Sequence, residues 1–117
     1  MSRRILCGMV LAASLACGGA RAAEPPAVYC DMVVNTFLNP HIYISRIFSS
    51  SETEAVNEDR FYTYLNSTIP GGVIADRADP ATCTYFPSIK AAQAARQQDV
   101  SQAVLRYRSA AVQVDWP

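Results

Sequence analysis

The sequence is poor in the residues that most enzyme and metal sites require. It has one histidine, His41, and four cysteines with no C-x-x-C spacing. It contains neither an H-E-x-x-H motif nor a glycine-rich phosphate loop. A lone histidine without ligand or base partners at a recognisable spacing is expected to be an ordinary surface residue of a strand. We therefore expect no catalytic residues, no metal and no cofactor.

The sequence also lacks an apolar run long enough to cross a bilayer, which takes about 20 residues. Its apolar run, residues 5–16, follows Arg3 and Arg4 and precedes Ala20-Arg21-Ala22. A basic start, an apolar centre of about a dozen residues and an A-x-A site are typical of a cleaved export signal. We predict a signal peptide at 1–22 and a single exported domain at 23–117, in the periplasm or secreted.

An alternative end of the signal stays open. Ser14-Leu15-Ala16-Cys17 loosely resembles a bacterial lipobox, although Ser14 stands where leucine is usual. If Cys17 were acylated, it would be the first residue of a membrane-anchored lipoprotein. We expect membrane association only in that case.

The exported domain has no excess of positive charge. Removal of Arg3, Arg4 and Arg21 lowers the Lys and Arg count from ten to seven, against ten Asp and Glu, for a net charge of −3. A domain of this charge has no electrostatic reason to bind nucleic acid or an anionic membrane surface. Neither is expected as a partner.

Two cysteines, Cys30 and Cys83, remain after removal of residues 1–22. Distant cysteines in a small exported domain most simply form a disulfide. A bridge of this span stabilises a fold by about 4 kcal/mol on the chain-entropy model. This pair is therefore predicted to be a structural disulfide.

The residue periodicity predicts a small α+β domain with the element order β-β-α-β-α-β. Alternating stretches indicate four strands in one mixed sheet, and two stretches have helical spacing. Ser51 and Glu54 are candidates for a capping box, and both helices are expected on one face of the sheet. The predicted strands cover 27–34, 41–48, 82–86 and 110–116, and the predicted helices cover about 52–66 and 87–109.

One face of this predicted sheet is a candidate binding surface. If Cys30 and Cys83 face the helices, alternation sends Tyr29, His41, Tyr43 and Ser45 to the uncovered side. Tyrosine supplies a rigid apolar area with a polar tip, which suits a protein partner or a sugar ring. An ordinary solvated sheet face is the other interpretation.

Three functions follow from these features. The favoured one is a non-catalytic binding protein of the bacterial cell envelope, such as an inhibitor or immunity-type protein acting on an unidentified protein. The alternative is a glycan- or peptidoglycan-binding module. A small hydrolase is the third function and would use His41 together with nearby acids. Those acids are expected instead to form a solvated helix face; they are Glu52, Glu54, Glu58 and Asp59. Arg96 interrupts the apolar stripe of the second helix. It is expected either to extend past the edge of the stripe or to pair with a buried carboxylate or carbonyl, and contact with a ligand is the other interpretation.

Overall fold

A computed structural model describes residues 25–35, 40–74 and 78–117 of the chain. The predicted signal peptide and Cys17 lie outside these residues. The described ranges contain seven elements in chain order: β1 (Ala27–Asn35), β2 (Pro40–Ser45), β3 (Phe48–Ser49), α1 (Glu54–Thr68), β4 (Thr82–Phe86), α2 (Ile89–Tyr107) and β5 (Val112–Val114). The predicted α+β class with two helices and a mixed sheet is confirmed.

Local sequence signals set the helix ends. The Thr53 side chain accepts a hydrogen bond from the Val56 amide at the start of α1. The N-cap is thus two residues later than the capping box predicted at Ser51. At the start of α2, Ser88 accepts from the Ala91 amide. Proline and glycine follow α1, and Arg108 ends α2 in the left-handed region with φ 60°.

The central strand of the sheet is β1. On one edge it pairs antiparallel with β4, and on the other edge it pairs antiparallel with β2 and β3 in succession. Strand β5 pairs parallel with β2 and forms the far edge. The spatial order is therefore β4, β1, β2 with β3, and β5. The predicted second strand is divided into β2 and β3, which gives five strands rather than four.

A bulge divides β2 from β3. The paired positions Asp31↔Ile44 and Val28↔Phe48 leave two residues of β1 opposite three residues of the other chain segment. One extra residue reverses the inward–outward alternation beyond it. Strict alternation placed Ile42, Ile44 and Phe48 on one side, but Phe48 lies on the opposite face.

The disulfide joins neighbouring strands of the sheet. Cys30 of β1 is directly opposite Cys83 of β4, and their sulfurs are bonded. Their Cα atoms are 4.0 Å apart, in keeping with a non-hydrogen-bonded antiparallel pair, in which side chains approach most closely. Both residues are buried. The predicted structural disulfide is confirmed.

Helix α1 covers one face of the sheet. Its Phe61 and Leu65 are fully buried against residues of β1 and β4. The strand residues of this core alternate along β1 and include both cysteines: Val28, Cys30, Met32, Val34 and Cys83. The face that carries the disulfide is therefore the α1 face.

Helix α2 covers the opposite face. Tyr29, which alternates with Cys30 along β1, hydrogen-bonds to Asp99 of α2. Ala92 and Ala103 of α2 are fully buried, and such small side chains allow the helix to lie close to the sheet. The helices are thus on opposite faces rather than on one, because β1 carries buried apolar residues on both sides, such as Cys30 on one and Tyr29 on the other.

Candidate functional surfaces

The four residues predicted to share an exposed face do not form one surface. Tyr29 is 3% exposed and Ser45 is fully buried, whereas His41 and Tyr43 are half-buried. The register pairs Tyr43 with Met32 and His41 with Val34, which places both side chains on the α1 face. Tyr29 lies on the α2 face. Tyr29 is therefore on the opposite face of the sheet from His41 and Tyr43, and each face is covered by a helix. Ligand binding by His41 and Tyr43 stays a prediction.

Ser45 has a structural role in the bulge. The amide of Cys30 donates to its hydroxyl oxygen at 2.8 Å, and the hydroxyl donates to the carbonyl oxygen of Arg46 at 2.8 Å. The hydroxyl therefore takes the place of a ladder partner where the strands lose register. A buried serine with both functions satisfied is not available to a ligand.

Tyr29 anchors α2 to the sheet. Its hydroxyl donates to the Asp99 carboxylate at 2.5 Å, and its ring stacks on Phe86 with centroids 5.6 Å apart. Burial raises the pKa of the Tyr29 hydroxyl, and the Asp99 carboxylate raises it further. The hydroxyl is therefore a fixed donor rather than an acid.

Asp31 is a carboxyl group in the middle of the sheet. It pairs with Ile44 on one side and with Thr82 on the other, two residues from Tyr29 on the same face. Burial raises its pKa from 3.8 to about 6, with a further contribution from the negative charge of Asp99. Near neutral pH, the ionised form of Asp31 on the α2 face therefore destabilises the folded state.

Arg96 of α2 lies close enough to Tyr29 for its positive charge to oppose the rise in the pKa of the Tyr29 hydroxyl. Its Nε donates to the Ser45 carbonyl oxygen at 2.7 Å, and an Nη1–H donates to Gln113 Oε1 at 3.1 Å. The predicted pairing with a carbonyl is confirmed. The same side chain lines an open cleft with five neighbours: Ile47, Gln93, Gln97, Val100 and Gln113.

His41 is held by the loop that precedes β5. Its Nδ1 lies 3.2 Å from the Ser109 hydroxyl, and that hydroxyl donates to the Pro40 carbonyl oxygen at 3.2 Å. The Ser109 hydroxyl therefore lies within hydrogen-bond distance of both the His41 ring and the Pro40 carbonyl oxygen. In the described ranges, the hydrogen-bond partner of His41 is thus a hydroxyl and not a carboxylate.

The acids of α1 make local contacts. Glu58 accepts from the Cys83 amide at 3.1 Å and so covers a donor of the edge strand β4. Glu52 lies 3.5 Å from Arg60, and Glu54 is in the first turn, where negative charge is favourable. Glu52, Glu54 and Asp59 are exposed, as expected of a solvated helix face, whereas Glu58 is half-buried against β4.

A surface that the sequence analysis missed is the outer face of α2. Between Lys90 and Arg106, all of its exposed residues are uncharged, and Leu105 is 83% and Val104 56% exposed. The one acid of the helix, Asp99, is turned towards Tyr29. The residues of this α2 outer face are Gln93, Ala94, Gln97, Gln98, Ser101, Val104 and Leu105.

A second surface is a groove between α1 and the segment after β5. Its aromatic part is Tyr64 and Trp116, whose ring centroids are 6.2 Å apart. Polar residues of α1 and Pro117 line the remainder. We name this the Trp116 groove; its polar residues are Asp59, Arg60, Thr63 and Ser67.

Three further findings bear on function. Across residues 25–35, 40–74 and 78–117, no group of three or more His, Cys, Asp and Glu is placed to hold a metal ion. No helix in the same ranges is long and apolar enough to span a bilayer. The chain matches no known family model, and no curated protein or solved structure is similar to it.

Proposed function

We propose that this chain is a small exported, disulfide-stabilised, non-catalytic binding protein of the bacterial cell envelope, of the inhibitor or immunity type. The α2 outer face is its contact surface for a protein partner. The observation that carries this proposal is the exposure of Leu105 and Val104 on a helix face without charge.

Exposed helix faces normally carry charged side chains, which are solvated and pair at i, i+4 spacing. Loss of charge is instead a mark of the centre of a protein interface. From Gln93 to Leu105 the uncharged face is about 18 Å long at about 1.5 Å per residue. Burying Leu105 alone supplies about 1.5–3 kcal/mol, which is about tenfold to a hundredfold in affinity.

The ends of the face indicate the charge of the partner. Lys90 lies before it, and Arg106 and Arg108 lie at its C-terminal end, all exposed. An antiparallel second copy of α2 would bring Lys90 of one helix towards Arg108 of the other, and like charges repel. We therefore propose a different protein, with an apolar pocket flanked by carboxylates.

The disulfide is compatible with an oxidising compartment outside the cytoplasm. Export by residues 1–22, with lipidation at Cys17 as the alternative, belongs to this proposal. Intact mass of the protein isolated from its own cells separates the two starts, because they differ in residue number and in attached lipid.

Leu105→Asp tests the contact surface. The carboxylate is tolerated on an exposed helix but would be desolvated in the complex, so the partner should be lost. Ile74→Asp is the matched control, because Ile74 is also an exposed apolar residue, 51% accessible, and lies outside α2. Immobilised wild type and Ile74→Asp should retain the same protein from envelope extract, and Leu105→Asp should not. Equal retention of the protein by wild type and both variants would refute the α2 outer face as the contact surface. If wild type retains no protein, the proposal of a protein partner is refuted.

Glycan or peptidoglycan binding is the second candidate. Its predicted basis loses Tyr29, which is covered by α2, so its support comes from the aromatic and polar lining of the Trp116 groove. Co-sedimentation with cell-wall sacculi tests it. The hydrolase interpretation would need a carboxylate at His41, where the structure describes Ser109.

A further inference from the structure

The Trp116 groove has a regular polar wall. Asp59, Thr63 and Ser67 follow one another at i, i+4 and i+8 on α1, and the groove contacts all three. Residues at this spacing lie one above another on a helix surface. The wall therefore presents a carboxylate and two hydroxyls in a row about 12 Å long, at about 1.5 Å per residue.

The aromatic part of the groove is fixed from below. The Trp116 ring packs on Phe61 at 5.1 Å and edge-on to Phe48 at 5.4 Å, measured between ring centroids. The segment is also tied to the bulge, because Arg46 Nη1 lies 3.3 Å from Asp115 Oδ1. A ring already held in place loses little conformational entropy when a ligand stacks on it.

The mixture of groups selects the ligand class. The Ser67 hydroxyl already donates to the Tyr64 carbonyl oxygen at 2.9 Å and so offers a ligand its acceptor side. An apolar ligand would desolvate the Asp59 carboxylate and the Thr63 hydroxyl without giving them hydrogen bonds, which would oppose binding. An anion would meet Asp59, and the cation of the groove, Arg60, already faces Glu52 at 3.5 Å. A neutral sugar ring satisfies every condition, because its C–H face packs on aromatic rings and its hydroxyls both donate and accept.

We propose that the Trp116 groove binds a neutral or N-acetylated hexopyranose unit of a glycan. The ring stacks against Trp116 and Tyr64, and the sugar hydroxyls hydrogen-bond to Asp59, Thr63 and Ser67. The site lies on α1 and the segment after β5, whereas the proposed protein contact lies on α2 across the sheet. The two proposals therefore use separate surfaces and can fail separately.

Trp116 is the one tryptophan of the chain, so its fluorescence reports directly on the groove. The probes are N-acetylglucosamine tetrasaccharide, cellotetraose and, as the non-sugar comparison, a neutral tetrapeptide. At least one sugar should change the Trp116 emission saturably at concentrations up to about 10 mM, a range that covers weak single-site binding. Saturation-transfer NMR on the same mixtures supplies a readout that does not depend on emission.

Two tyrosines of α1 give matched variants. Tyr64→Leu removes the groove ring and should weaken sugar binding about fivefold or more, the size of one aromatic contact. Tyr62→Leu changes a tyrosine that faces the other side of α1, beside Met32 and Ala78, and should leave the Kd within about twofold. Asp59→Asn changes an exposed side chain without changing its shape and should also weaken sugar binding. The proposal therefore stays testable if the Tyr64→Leu protein does not fold.

Absence of a saturable response to both sugars in fluorescence and NMR would overturn the proposal. Equal weakening by Tyr62→Leu and Tyr64→Leu would do the same, as would tighter binding of the tetrapeptide than of either sugar. Leu105→Asp should not alter sugar binding, which separates this result from the outcome for the protein partner.

Discussion

Replacing Asp31 by asparagine should stabilise the fold at neutral pH. Asp31 lies in the central strand, on the face of the sheet that α2 covers, and the negative charge of Asp99 on α2 acts on it. Burial raises its pKa from 3.8 to about 6, so the folded protein disfavours the charged form. Asparagine has nearly the same shape and volume as aspartate and can also form hydrogen bonds, but it carries no charge.

The magnitude follows from linkage. A pKa difference of one corresponds to about 1.4 kcal/mol, so raising the pKa from 3.8 to about 6 costs the fold about 3 kcal/mol once Asp31 is ionised in both states. Because the folded pKa is the higher one, this cost is absent below pH 3.8, grows between pH 3.8 and 6, and is complete above pH 6. Asp31→Asn should therefore add about 1–3 kcal/mol at pH 7.5 and less than about 1 kcal/mol at pH 4.

Urea unfolding of residues 23–117 at both pH values measures the difference. For a domain of this size, 1 kcal/mol shifts the melting temperature by about 4–8 °C, so a thermal scan serves as a second readout. The control is Asp59→Asn, which removes an exposed carboxylate of α1. The reasoning fails if Asp31→Asn gives no gain at pH 7.5, or if its gain is the same at pH 4.

Two further predictions concern the connections of β1. Replacing Cys30 and Cys83 together by alanine should lower the free energy of unfolding by about 4 kcal/mol on the chain-entropy model. The measurement is urea unfolding, with oxidised wild type as the reference. A loss below about 1 kcal/mol would contradict a structural role for the disulfide. Ser45→Ala leaves the buried amide of Cys30 without its acceptor and should cost about 1–3 kcal/mol. Ser101→Ala, at an exposed site of α2, is its control and should be neutral within about 0.5 kcal/mol.

Element types could be predicted because their signals are local. The alanine- and glutamine-rich stretch after Ser88 forms α2, and the strand around Cys83 covers residues 82–86 as expected. The pairing of Cys30 with Cys83 followed from chemistry alone, since two cysteines remain in the domain predicted to be exported. Local residue type, hydrogen-bond capacity and redox compartment were sufficient for each of these inferences.

The assignment of faces could not be made the same way. Along β1, Val28 and Cys30 alternate with Tyr29 and Val33, and both sets are apolar, so alternation alone does not say which set faces water. The bulge added a second ambiguity, because one extra residue after Ile44 moves Phe48 to the other face. A bulge depends on the partner strand, and no residue in this stretch announces it.

The outer face of α2, in contrast, had a signal in the sequence. From Gln97 to Leu105 the helix contains one charged residue, Asp99, and an exposed helix of this length normally carries several. Once Tyr29 is known to hold Asp99, the outward side has no charge over three turns and ends in an exposed leucine. The glutamine and serine side chains of this face can bond to water, but Val104 and Leu105 leave apolar area exposed. The proposed protein contact is therefore the feature of this fold for which stability alone supplies no reason.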